Sequence, residues 1–366
     1  MKITHTEIYR LSIKMEPFAI ATGTMDYAQN VYIRLYTDAG IYGVGECSAF
    51  PFIVGETQDT CITVAKDFAK LWKGKNASDI NSRMQELNQA IAGNTTIKSA
   101  FDMALYDLNA KSANMPLYKY LGGEKKSIET DITIGIATVE EMVNKALEFQ
   151  SNGAKCLKIK LGKDAKQDIE RIAKIREAVG NAMILRLDAN QGWGFEDAVF
   201  ALNNMEPYDI QFCEQPMRSW NDDLLPELRK RTSIKIMADE SCYNHHDARR
   251  LIATGACDCI NIKLVKSGGL AEAIRIHDIT EQANVPCMIG GMLETRLALS
   301  AKLHFAYANP NVKYYDMDTC LIGHLEDPVI GGARYEGYFL DIDDVPGIGA
   351  DIDEAYLRNC EMISIS

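Results

Sequence analysis

The chain has 366 residues, 47% of them hydrophobic, which is enough for one large or two ordinary domains with substantial cores. Its formal net charge is −12 with no long basic run, which argues against nucleic acid or an anionic membrane as partner. No stretch approaches the roughly 18 apolar residues of a membrane helix, the start Met1-Lys2-Ile3-Thr4-His5 lacks the apolar core of a signal peptide, and ten scattered cysteines suit a reducing cytoplasm.

The first 125 residues read as α+β. Residues 2–14 alternate like a strand, and residues 29–37 and 41–47 flank the hairpin signal Asp38-Ala39-Gly40. Helical patterns follow near 57–73, 78–91 and 95–113, and Gly122-Gly123 marks a boundary near residue 125. Across 126–320 short apolar runs alternate with amphipathic stretches. The strands read Asp131–Gly135, Cys156–Leu161, Met183–Ala189, Ile210–Glu214, Ile234–Asp239, Cys259–Leu264, Pro286–Gly290 and Val312–Asp316. Repeated βα units imply parallel strands with right-handed crossovers, and eight of them imply a closed (β/α) barrel, a fold of about 250 residues. An open doubly wound sheet needs a Gly-rich phosphate turn after its first strand, and Gly135-Ile136-Ala137 is not one. Residues 321–366 are Gly-rich and irregular and are expected to return to the first domain.

Polar residues stand out at the strand ends. Asp188, Glu214 and Asp239 are 26 and 25 residues apart, one βα unit per step, so they should meet at the C-terminal mouth where barrel enzymes place their sites. Two like charges about 4 Å apart repel by roughly 4 kcal/mol at an effective dielectric near 20, so three such pairs cost on the order of 10 kcal/mol. A divalent cation relieves that repulsion, and oxygen donors without His or Cys suit Mg²⁺, Mn²⁺ or Ca²⁺. Local salt bridges among unrelated acids are the simpler alternative.

Lys158 and Lys160 share one face of their strand, and Lys263 lies four strands away, on the opposite side of the barrel, with Asn261 on its face. Structural pairing with carboxylates is one use for buried lysines. The other is base catalysis, for which neighbouring ammonium groups and burial should lower the lysine pKa. A cation flanked by two opposed amines favours a 1,1-proton transfer beside a substrate carboxylate, hence racemisation or epimerisation. Asp316 and Asp318 also share a face and fit either a cationic substrate group such as an α-ammonium or a capping role. Cys257-Asp258-Cys259 reads as core thiols, and His245-His246 as a helix start.

These residues resemble the enolase superfamily, in particular its muconate-lactonising-enzyme-like subgroup. The matching segments are Leu157-Lys158-Ile159-Lys160, Arg186 to Trp193, Glu214-Gln215-Pro216, Ala238-Asp239-Glu240-Ser241 and Asn261-Ile262-Lys263, and the likeness runs through nearly the whole chain. Lysine bases with Mg²⁺ are the established chemistry of that superfamily. The resemblance implies a modified TIM barrel, an α+β capping domain completed by the C-terminal tail, and one Mg²⁺ held by Asp188, Glu214 and Asp239. It implies Lys160 and Lys263 as opposed acid/bases and Lys158 as the residue that contacts substrate and tunes Lys160. Asn190 and Glu240 become orienting groups behind the ligands.

Asp316-Met317-Asp318 is similar to the dipeptide epimerases of the subgroup, which implies a dipeptide substrate held by its ammonium and inverted at its C-terminal residue. An o-succinylbenzoate synthase or muconate cycloisomerase-like lyase, and a non-enzymatic metal-binding barrel, are the competing readings. Ala-Glu epimerases carry an arginine in the first capping loop. Here that loop, Pro17 to Thr24, has no basic residue, and Gly23 stands near the expected arginine. With apolar Phe50-Pro51-Phe52-Ile53-Val54 opposite, an acidic side chain lacks a partner. Phe18, Gly23, Thr24, Phe52, Ile53 and Met292 are therefore expected around a small or hydrophobic second residue, as in Ala-Val. A homo-oligomer is expected from the fold type.

Overall fold

Eight parallel strands follow one another around a barrel in the computed structural model, which describes residues 1–366. They are Ile132–Ile134, Cys156–Lys160, Ile184–Asp188, Ile210–Glu214, Ile236–Ala238, Cys259–Ile262, Cys287–Gly290 and Val312–Asp316. Each is laddered to the next. The last seam is bridged differently: Asp131 N–H donates to Tyr315 O at 3.2 Å and Met317 N–H donates to Thr130 Oγ1 at 2.8 Å. The barrel is thus nearly closed, as the eight-fold rhythm of the sequence predicts.

Helices Val139–Ser151, Ala165–Val179, Phe195–Met205, Leu225–Arg231, His245–Thr254, Leu270–Gln282 and Arg296–Ala308 cover the outside. Their starts are written locally. Thr138 and Glu141 form a reciprocal capping box, and Asp164 accepts from the N–H groups of Lys166 and Gln167, each cap contributing about 1 kcal/mol. The eighth strand is followed only by a 3-10 turn at Thr319–Leu321, because the sequence beyond Asp318 has no helical periodicity.

The N-terminal region forms an antiparallel sheet ordered Met362–Ile365, Ile3–Ile20, Gly23–Thr37 and Tyr42–Ala49, backed by helices Gln58–Trp72, Ile80–Ala90 and Thr95–Ser112. The C-terminal strand pairs with the first, Thr6 opposite Ile365. The first hairpin is longer than its alternation indicates. Pairing continues past residue 14 to a turn at Ala21-Thr22, with a register shift between Lys14 and Phe18. Such an irregularity breaks period-two patterning while preserving the ladder. The extension reaches over the barrel mouth, where Ala19 O accepts from Ile136 N–H at 3.1 Å.

Cap and barrel are tied by buried carboxyls: Asp102 accepts from Leu270 N–H at one barrel-helix start, and Glu46 from Thr295 and Ala298 N–H at another. Inside the barrel, Phe212, Met237, Cys259 and Met288 pack into an apolar floor. Residues two further along a strand point the same way. Glu214, Asp239, Asn261 and Gly290 therefore form the layer above that floor.

Candidate active site

Strand pairing sets the first two carboxylates side by side: Lys160 lies opposite Asp188, and Asp188 opposite Glu214. Equal spacing in sequence implies that Asp239 should share that register. Instead Met237 lies opposite Glu214, and Asp239 follows the end of its strand. The stagger of barrel strands accounts for the offset. Gln215 fixes the result, its Oε1 accepting from Asp239 N–H at 2.9 Å and Ser241 N–H at 3.2 Å. Gln215, Asn190 and Gln191 all adopt positive φ, of 35°, 41° and 67°. These sharp turns immediately after Glu214 and Asp188 are strain of the kind that clusters at functional sites.

All three carboxylates are fully buried and ringed by lysines. Lys160 Nζ donates to Asp188 Oδ2 at 2.6 Å, and Lys263 Nζ to Asp239 Oδ2 at 2.7 Å, with Glu214 Oε1 at 3.9 Å. Lys158 Nζ lies 3.1 Å from Asp188, 2.8 Å from Glu214 and 2.8 Å from Asp316. Asn261 Nδ2 donates to Glu214 Oε1 at 2.7 Å. Asn190 N–H donates to Asp188 Oδ1 at 2.9 Å, while its amide reaches Glu240 only at 3.5 Å.

The expected lowering of lysine pKa by a neighbouring ammonium is not found at Lys158 or Lys263. Burial pushes both down, but Asp316, Glu214 and Asp188 around Lys158, and Asp239 and Glu214 around Lys263, outweigh it and hold both well above the ordinary lysine value. Carboxylates, not other amines, are their nearest neighbours. The acids diverge accordingly. Burial raises Asp188, yet Lys160 and Lys158 bring it down to about 2. Burial also raises Asp239, and Lys263 and Lys266 overcome it, holding it far below the usual range. Glu214 is pushed up to about 8 by burial and by Asp188, and Glu240 to about 7 by burial and Asp239.

The donor set fits a divalent cation. Asp131, Asp188, Glu214, Asp239, Glu240, Asp316 and Asp318 are buried together with Lys158, Lys160, Lys263, Lys266 and Arg186. Seven acids against five cations leave a formal charge of −2. Glu214 Oε2 and Asp239 Oδ1 make no hydrogen bond of good geometry, although Lys158 and Lys266 ammonium groups lie 2.8 Å and 2.6 Å away. Hard carboxylate oxygens converging in a buried, formally net-negative pit suit Mg²⁺.

A second acidic group, Asp131, Asp316 and Asp318, also brings oxygens within 4.8 Å of one another. Fixed cations already serve it: Arg186 donates to Asp131 and Lys158 to Asp316, both at 2.8 Å. Asp316 is held below the usual range, burial being outweighed by Lys158, whereas Asp318 is driven well above it by burial, Asp316 and Asp131. Asp318 accepts from Thr133 N–H at 2.6 Å. This arrangement is short of one positive group, as an ammonium clamp requires. Neither Asp131 nor Arg186 stands out in the sequence, because each reads as an ordinary strand residue.

Lys160 and Lys263 line the same cavity of about 40 Å³, with Asn190, Phe18, Ile20, Phe50, Ile53, Gly291, Met292 and Leu293. Among the expected contacts, Phe18, Ile53 and Met292 are on its wall, while Gly23, Thr24 and Phe52 are not. A Cβ on Gly23 would stand 2.7 Å from the Phe52 ring. That ring fills the space of a side chain at 23 and is itself 45% exposed, outside the cavity. At Gly290 the missing Cβ admits the Asn261 side chain.

Barrel, cap and opposed lysines together define a proton-transfer enzyme of the enolase type. Residues 141–356 match the enolase C-terminal domain-like family and residues 3–122 the mandelate racemase / muconate lactonizing enzyme N-terminal domain, and the chain belongs to this superfamily. It is 43% identical to a D-Ala-D/L-Ala epimerase of Cytophaga hutchinsonii across 100% of both chains. It is 36% identical to an L-Ala-D/L-Glu epimerase of Clostridium acetobutylicum, over 96% of this chain and 99% of that one. The crystal structure of the dipeptide epimerase from Cytophaga hutchinsonii complexed with Mg and the dipeptide D-Ala-L-Val matches with a TM-score of 0.98, 43% identity and full coverage of both chains.

Proposed function

We propose that the protein is a Mg²⁺-dependent dipeptide epimerase that inverts the α-carbon of the C-terminal residue. The observation that carries this reading is the shared cavity: Lys160 and Lys263 both face it, each ion-paired to a different carboxylate of the triad. Asp188, Glu214 and Asp239 hold the cation, which when bound supplies positive charge against the charge that develops on the substrate carboxylate. Lys160 removes the α-proton from one face. Lys263, kept protonated by Asp239, delivers a proton to the other. In the reverse direction the roles exchange. Lys158 ties the triad to Asp316, and Asn190 and Glu240 steady the strand ends behind it.

Asp316 and Asp318 bind the substrate's α-ammonium, which replaces their mutual repulsion with attraction. Apart from the two lysines, the cavity wall has no cation. Lys163 and Arg218 flank a separate surface cavity near Ala21 and Thr22. A small or hydrophobic second residue, as in Ala-Ala or Ala-Val, therefore suits the site better than glutamate. We assign residues 1–125 and 321–366 to a specificity-setting cap and 126–320 to the catalytic barrel. We place the enzyme in the cytoplasm, as a homo-oligomer: its ten cysteines are all free and eight are buried, which suits a reducing compartment. No helix is long and apolar enough to cross a membrane.

The test is proton exchange in D₂O with Mg²⁺, followed by NMR over Ala-Ala, Ala-Val and Ala-Glu with both L and D first residues. Exchange and inversion at the C-terminal α-carbon are expected for the first two, with Ala-Glu slower. Absence of exchange across the panel would remove the proposal.

A further inference from the structure

Lys266 is fully buried and takes no part in the proton transfers. It sits on the single helical turn Leu264–Ser267 that follows the strand carrying Asn261, three residues after Lys263. Its ammonium donates to three backbone carbonyls: those of Asp239, of Cys242 at 3.0 Å and of Asn261 at 3.1 Å. Those carbonyls belong to the loop after the fifth barrel strand and to the sixth strand. An ammonium has three N–H bonds, and three carbonyls take them all. The Asp239 carboxylate stands beside this group, with Oδ1 2.6 Å from Nζ.

This differs from Lys263, which spends an N–H on Asp239 Oδ2. Lys266 places its ammonium 2.6 Å from Asp239 Oδ1, while its N–H groups hold the backbone of Asp239 itself, of the loop after it and of the adjacent strand. From this geometry we infer that Lys266 is a positioning residue for the cation site: it locks the backbone that carries Asp239 in place and compensates the burial of its carboxylate. The inference rests on the proposed role of Asp239 as a cation ligand. Partners behind metal ligands commonly change affinity 10- to 100-fold when lost.

The experiment measures Mn²⁺ binding to the purified enzyme by EPR of the free ion, with Mn²⁺ as the probe, alongside circular dichroism and kcat and KM for an epimerised dipeptide. Lys266→Met should weaken Mn²⁺ binding about 10- to 100-fold and lower kcat at subsaturating metal, with substrate KM little changed at saturating metal. Lys266→Gln keeps amide donors for two carbonyls but not the charge, and should fall between. Lys302→Met is the control. Lys302 is as deeply buried, but pairs with Glu294, so its loss should leave Mn²⁺ affinity within about twofold while lowering stability. Wild-type Mn²⁺ affinity in folded Lys266→Met or Lys266→Gln would overturn the inference, as would failure of both variants to fold, which would make Lys266 a folding residue. Asp239→Asn separates the two claims. If it binds Mn²⁺ like wild type, the ligand assignment itself fails. If it loses Mn²⁺ and the Lys266 variants do not, only the Lys266 inference fails.

Discussion

Replacing Lys263 by Met tests the two-base arrangement because it removes one amine and keeps the volume of its stem. Lys263 Nζ is 2.7 Å from Asp239 Oδ2 and 3.9 Å from Glu214 Oε1, at 4% side-chain exposure. At an effective dielectric near 20 those contacts give gross attractions of about 6 and 4 kcal/mol. Most of this offsets the burial of the charges, and breaking such a pair from one side typically costs about 3–5 kcal/mol. The metal-free variant should be destabilised by that order. In catalysis, loss of one acid/base should lower epimerisation by about 10²- to 10⁴-fold. Exchange in D₂O, started separately from each epimer, is the decisive assay. The epimer whose proton faces Lys160 should still exchange with solvent while retaining its configuration. The other should not exchange. Equal loss from both epimers, or epimerisation at the wild-type rate, would refute the face-specific assignment.

Asp318→Asn should lower kcat/KM for dipeptides by roughly 10- to 150-fold, the loss of about 1.5–3 kcal/mol from a charged hydrogen bond. Unchanged dipeptide kinetics would remove Asp318 from the ammonium clamp. Asp102, between cap and barrel, predicts a pH effect. Burial outweighs the hydrogen bond from Leu270 N–H and raises its carboxyl to about 8, against 3.8 ordinarily. Folding therefore takes up a proton between those values, and this group's contribution to stability falls as pH rises through the window, by at most about 1.4 kcal/mol per pH unit. Asp102→Asn should flatten that decline, so urea midpoints of variant and wild type should diverge in the variant's favour from pH 5 to 8. Parallel curves over that range would show that Asp102 is ionised in the folded protein.

What the sequence discloses depends on how local each constraint is. The barrel was legible because every βα unit repeats one pattern, and strand-end acids at equal steps followed from it. Period-two geometry put Lys158 beside Lys160, and placed Asn261 on the face from which it reaches Glu214. Failures came where a contact joins distant segments. The first hairpin was cut short because pairing resumes after a register shift that no local pattern marks. Gly23 and Phe52, 29 residues apart, are one steric unit only in the folded cap. The lysine pKa values follow the same pattern: the neighbouring amine is visible two residues away, whereas the carboxylates that outweigh it are brought in by other strands. Lys266 is the sharpest case. By position it is one polar residue on a short helical turn, with no periodicity to set it apart from a solvated side chain. Its meaning comes from Asp239, Cys242 and Asn261 converging on it, and the pairing of the fifth and sixth strands brings those carbonyls together. Buried charge at this site is therefore a property of the assembled layer above the apolar floor. Substitutions there should be judged by the charge balance of the whole layer, since Lys158, Lys263 and Lys266 each touch groups from at least two strands or loops.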